Sequence, residues 1–143
     1  MKRAVVAIAT LTLASHAEAG SLLSYGWGNS DASVPMGSGH FNIWVHHKDN
    51  TILIEPGMST VMGGGGHFPD STWRTIAEAF VEPVGCGISD VRPISRIGAA
   101  WEATYVCPEG VDLRALVKAQ HDRLTKGERL VPPAPILHPE VQP

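Results

Sequence analysis

Residues 86–107 read CGISDVRPISRIGAAWEATYVC, and they contain the only two cysteines of a 143-residue chain. Two alternating runs closed by cysteine at both ends predict a β-hairpin with a disulfide across its open end. Pairing symmetrically about Arg96-Ile97 sets Cys86 opposite Cys107, Ile88 opposite Tyr105, Asp90 opposite Ala103, Arg92 opposite Trp101 and Ile94 opposite Ala99. Side chains alternate along a strand, so Ile88, Ile94, Trp101 and Tyr105 share the cysteine face, the expected core side. Gly87, Ser89, Glu102 and Thr104 fall on the wetter face, and Arg92 comes over Trp101 as a cation–π pair. Pro93 has no N–H to give a ladder and marks an edge strand or a bulge.

A nucleophilic or redox cysteine needs a free thiolate or a close CxxC pair, and neither is present. Cys86 and Cys107 therefore read as a structural disulfide. Closing a loop of about twenty residues restricts the unfolded chain enough to stabilise the fold by about 3 kcal/mol.

Upstream, His40–Glu55 (HFNIWVHHKDNTILIE) alternates in the same way. Phe41, Ile43 and Val45 share one strand face and His40, Asn42, Trp44 and His46 the other. Asp49-Asn50 turns the chain into a second strand at Thr51–Glu55, which Pro56-Gly57 stops, and Met58–Met62 reads as a short extended piece. A helix is predicted over Ser71–Val81, where Trp73, Ile76, Ala77 and Phe80 recur at helical spacing. A second is predicted over Asp112–Lys126, with Leu113, Leu116, Val117, Gln120 and Leu124 along one side, Asp112 capping its start and Gly127 its end. The order β-β-α-β-β-α implies an α+β fold: a small antiparallel sheet with two amphipathic helices packed on one face.

The flanks have a different composition. Residues 1–19 have the layout of a signal peptide, with Lys2-Arg3, an apolar run Ala4–Ala14 and Ala17-Glu18-Ala19 as cleavage site, so the mature chain is expected to start at Gly20. That layout implies a periplasmic or secreted protein, and no transmembrane segment is expected in the mature chain. Residues 20–39 are rich in Gly and Ser and read as a flexible N-terminal segment, residues 40–127 as a single α+β domain, and residues 128–143 as a Pro-rich tail. Without Lys2, Arg3 and Glu18 the chain keeps nine basic and thirteen acidic residues, a net charge of −4. The basic residues are scattered, which argues against nucleic acid as a partner.

The most chemically suggestive stretch is MGGGGHFPDSTWR at Met62–Arg74. As a phosphate loop it lacks the lysine and hydroxyl that hold nucleotide and magnesium, and Phe68-Pro69 separates the glycines from the helix. Asp70 also complements the helix dipole and repels an incoming anion. A metal site for zinc or copper is the second reading, built on His46, His47 and His67, although no HxH, HExxH or CxxC spacing supports it. His40 and His46 share a strand face but lie about 20 Å apart at ~3.3 Å per residue, too far to share an ion. A small hydrolase is the third reading, but Ser38 and Ser89 both lack the full GxSxG setting. The first reading is non-catalytic: an exported binding or accessory protein, without a cofactor, that engages a protein or envelope partner. Asn42, Trp44 and His46 form its candidate interaction patch, because aromatic side chains on a solvated strand face favour interfaces.

Overall fold

The computed structural model describes residues 24–26, 28–62, 68–95 and 99–134. The signal-peptide segment, the glycine run 63–66 with His67, the hairpin tip at Arg96-Ile97 and residues 135–143 of the tail lie outside them. Five strands form one antiparallel sheet: β1 (Ala32–Met36), β2 (Gly39–Val45), β3 (Thr51–Pro56), β4 (Gly87–Pro93) and β5 (Trp101–Val106). Their spatial order is β1-β2-β3-β5-β4. After β3 the chain runs through helices α1 (Met58–Met62) and α2 (Asp70–Val81) and a 3₁₀ turn (Glu82–Val84) to the far edge. It then returns as β5 into the space between β3 and β4, and ends in α3 (Leu113–Ala119) and α4 (His121–Leu124).

An α+β domain with one antiparallel sheet and one disulfide is present, with more strands and helices than the order β-β-α-β-β-α. Phe41 and Ile43 of β2, Ile52 and Ile54 of β3, and Ala103 and Tyr105 of β5 line one sheet face. They bury against Trp73, Ile76, Ala77 and Phe80 of α2, Leu113 and Val117 of α3, and Leu124 of α4. Within this core Trp73 is nearly sealed from solvent, stacks on Trp101 at 5.5 Å and meets Phe41 and Phe68 edge to face. Cys86 and Cys107 are bonded just beyond the Gly87–Val106 pair, so the disulfide pins the open end of the β4–β5 hairpin.

Four expectations are corrected. The segment 20–39 contains β1, whose Ala32 and Val34 pair with Ile43 and Phe41 and extend the core face by one strand. Met58–Met62 is helical, not extended; its Thr60 hydroxyl donates to the His40 carbonyl and accepts from the His40 N–H, clasping it to β2. The second helix breaks at Gln120, whose side chain leaves the helix to bind both the N–H and the carbonyl of Val131. Asp112 still caps its start by accepting from the Ala115 N–H, and Gly127 takes the positive φ, +84°, that ends its last turn. The helix α2 begins at Asp70 behind Pro69 with no side-chain cap, so Asp70 acts on the dipole from the first turn.

The fourth correction bears on function. The hairpin follows the symmetric register at Gly87–Val106 and Ile88–Tyr105, then slips by one residue at a bulge between Ile88 and Asp90. A one-residue slip moves every later side chain to the opposite face. Arg92 therefore faces Glu102 in place of Trp101, Val91 faces Ala103, and Pro93 faces Trp101. The cation–π pair is replaced by an ion pair. Ile94, expected on the cysteine face, packs on the other side with Leu53 and Ala100.

Candidate binding face of the sheet

The helices cover one face of the sheet, and the opposite face carries the polar chemistry. One row of side chains crosses four strands there: Trp44, Leu53, Glu102 and Arg92 lie side by side in register. Thr51, Thr104 and Asp90 form the next row. Leu53 is only 4% exposed although no helix lies over it. Its cover includes Tyr25, which with Trp44 packs against Leu53, Ile94 and Ala100.

Tyr25 belongs to a strap, Ser24–Gly26 and Gly28–Ser30, that leads into β1. Side chains of the sheet hold it at three points. The Tyr25 hydroxyl lies 2.8 Å from Glu102 Oε2 and 2.6 Å from Thr51 Oγ1. A phenol has one proton, so it donates to the carboxylate while Thr51 turns its own hydroxyl proton toward the phenol oxygen. Trp44 Nε1 donates to the Gly28 carbonyl at 3.2 Å, and His47 Nδ1 donates to the Ser24 carbonyl at 3.1 Å. Asp31 then turns the chain into β1, accepting from the Val45 N–H through its carboxylate.

Glu102 is the centre of this arrangement. It is 7% exposed, and both its oxygens are engaged. Oε2 takes the Tyr25 hydroxyl, and Oε1 takes Nε and Nη2 of Arg92 at 3.1 and 2.7 Å. A buried carboxylate is tolerable only when paired and hydrogen-bonded in this way. With both its oxygens engaged, Glu102 orients the groups that donate to it. The same ion pair holds the Arg92 guanidinium above its ordinary value, against a smaller opposing effect of burial.

His46 closes the other side of Tyr25. Its ring is buried, stands edge-on to the Tyr25 ring at 5.1 Å and stacks on His47 at 4.7 Å. Nδ1 accepts from the backbone N–H groups of Lys48 and Asp49 at 3.1 and 2.8 Å, so the neutral ring carries its proton on Nε2. The turn that presents it is tied to α3 by Arg114, which donates to the Asp49 carbonyl and to the Tyr105 hydroxyl.

Of the residues read from the sequence as a metal site, His46 and His47 lie together here and His67 is outside the described residues. In this arrangement His46 offers no free lone pair, and His47 offers Nε2 alone. Among the described residues no group of three His, Cys, Asp or Glu is placed to hold an ion. The interaction patch is placed more fully. Asn42 and Trp44 share the open face and line a hollow of about 530 Å³ with Gly28–Ser30 of the strap, His121 of α4 and Thr125 just past it. His46 falls in a second hollow, of about 540 Å³, with Ser24, Asp49, Asp90, Arg92 and Glu102. The strap thus contributes to both.

Sequence reasoning missed Tyr25, Thr51, Arg92 and Glu102 as members of one site. One signal was present: Tyr25 is one of two aromatics, with Trp27, in a segment rich in Gly and Ser, and an aromatic needs somewhere to pack.

Burial, reinforced by Glu102 and opposed by the Thr51 hydrogen bond, pushes the Tyr25 phenol well above its ordinary range. Burial and Asp112 push Tyr105 the same way, against the opposing charge of Arg114. These are the chain's only two tyrosines, so an ultraviolet titration reads them without interference. The folded chain keeps its phenolic protons while an unfolded phenol loses its proton near about pH 10. Above that pH the unfolded state binds fewer protons, so stability falls as pH rises. Absorbance at 295 nm is expected to show little tyrosinate in the native protein at a pH where the urea-unfolded chain is half ionised. Superimposed curves would mean that neither phenol is held as described.

No protein-family model matches the chain, and no curated protein or solved structure shows significant similarity to it. Among the described residues no helix is long and apolar enough to cross a membrane.

Proposed function

We propose that this chain is a small exported, non-catalytic binding protein that engages a protein or envelope partner through the open face of its sheet. The observation that carries this reading is the asymmetry of the sheet. Its helical face is closed by a continuous apolar core, while the opposite face presents half-buried Trp44 and Asn42 beside two hollows and a short strap. Aromatic side chains with a polar end, set among satisfied polar groups, are what interface centres select. The disulfide is compatible with export, and the leader-like residues 1–19 support it.

Two measurements test the reading. Protein recovered from the envelope or medium of its host is expected to have an intact mass that starts at Gly20 and falls short of the reduced value by two hydrogens. A photo-crosslinker at Asn42 is expected to trap one defined partner in that envelope, whereas one at Lys118 on α3 traps none. Trp44→Ala should abolish the crosslink and lower the melting temperature by no more than about 5 °C, because Trp44 sits at the margin of the core. A large fall in stability together with an unchanged crosslink would make Trp44 a structural residue and defeat the proposal.

A further inference from the structure

Resting on that reading, we infer that the face contains a tyrosine socket, filled in this structure by the chain's own Tyr25, and that a partner's tyrosine followed by a basic residue takes its place.

The socket and its occupant come from different parts of the chain. Every wall belongs to the sheet or its turns: Thr51 and Leu53 of β3, Glu102 of β5, and His46 at the end of β2. Three of the four walls are fixed without Tyr25. Arg92 clamps Glu102 through two hydrogen bonds, and the Lys48 and Asp49 amides hold His46. Leu53 packs on Ile94 and Ala100. The occupant hangs on a strap in which Gly26 takes a positive φ, +79°, and Gly28 has open space around its Cα. Exchanging one tyrosine for another replaces each contact of the ring with its equivalent, while the tether and the strap's Trp44 and His47 hydrogen bonds favour Tyr25, so the partner must add contacts of its own.

The chemistry selects the ligand. Glu102 Oε2 and Thr51 Oγ1 both point at a hydroxyl, and an aromatic lacking one would leave a buried carboxylate oxygen without its donor. Sites built to bond a hydroxyl discriminate strongly against the analogue that lacks it. The hollow beyond the phenol adds a sign. It is lined by the carboxylates of Asp49 and Asp90, while the charge of Arg92 is already committed to Glu102. Asp49 is largely exposed. A lysine or arginine next to the partner's tyrosine fits that hollow, and an acidic neighbour is repelled.

The test uses the full chain with Tyr25→Ala and, in case that variant does not fold, Tyr25→Phe, which keeps the ring and removes only the hydroxyl. Three acetylated, amidated peptides, Gly-Tyr-Lys-Gly, Gly-Phe-Lys-Gly and Gly-Tyr-Glu-Gly, are titrated with the Leu53 methyl and His46 ring signals followed by NMR. The Tyr-Lys peptide is expected to bind either variant at least tenfold more tightly than it binds the wild type. It is also expected to bind the variant at least tenfold more tightly than the Phe-Lys peptide and several-fold more tightly than the Tyr-Glu peptide. Equal binding of the Tyr and Phe peptides, or no gain over the wild type in a folded variant, overturns the socket. A concentration-dependent dimer of the wild type that disappears in Tyr25→Ala also overturns it, since the occupant would then be a second copy's strap. Loss of the socket with the Asn42 crosslink intact leaves the binding face standing; loss of both removes the proposed function as well.

Discussion

Trp73→Ala is expected to cost about 3–5 kcal/mol of unfolding free energy, the range for removing a large buried aromatic. Trp73 joins the helical layer to the sheet: it projects from α2, stacks on Trp101 of β5 and meets Phe41 of β2 and the Phe68 that leads into its own helix. The void left by an indole cannot be refilled by those rings, because Phe41 is itself sealed in and Trp101 is held in its strand. Chemical denaturation should show the loss as a lower midpoint at similar slope. Trp73→Phe, which keeps an aromatic face for Trp101, should recover roughly half. A Trp73→Ala protein within about 1 kcal/mol of wild type would show that α2 does not hold the layers together.

The second large effect belongs to the disulfide. Replacing Cys86 and Cys107 together by alanine is expected to lower stability by about 3 kcal/mol, through the freedom regained by an unfolded chain no longer closed across 21 residues. The native hairpin should persist, since the β4–β5 ladder continues from Gly87–Val106 to Pro93–Trp101. The same comparison can be made on the natural sequence by denaturing it with and without reductant. Equal midpoints would mean that the bridge restricts nothing the native ladder has not already fixed.

The strongly periodic segments declared themselves in the sequence, and the exceptions have physical causes. His40–Val45 and Thr51–Glu55 alternate because one side meets the core. Trp73, Ile76, Ala77 and Phe80 recur because one helical stripe does. By contrast β1, with Pro35 among its five residues and Gly and Ser on both sides, resembles a loop; its place in the sheet comes from pairing with β2, a long-range effect. The helix break at Gln120 depends on hydrogen bonds to Val131, eleven residues on. The bulge near Ser89 left no glycine or proline at its own position to announce it. It nevertheless turned a supposed Arg92–Trp101 contact into the Arg92–Glu102 ion pair on which the open face is built. The candidate patch of Asn42, Trp44 and His46 was read from the alternation of aromatic and polar residues with apolar ones along β2 and just past its end. Tyr25 and Glu102 were not, because nothing local links residues 77 positions apart.

That separation has a temporal meaning as well. A chain that emerges from its amino end presents Tyr25 long before Glu102 exists to receive it, and contacts of such long range form late because the loop they close is long. The β4–β5 hairpin, with its ends 21 residues apart, can close and oxidise first. The strap's hydrogen bonds to Trp44 and His47 span only 16 and 23 residues and can form before the one to Glu102. The Tyr25–Glu102 contact can therefore close only once β5 has joined β3, so it reports on assembly of the whole sheet.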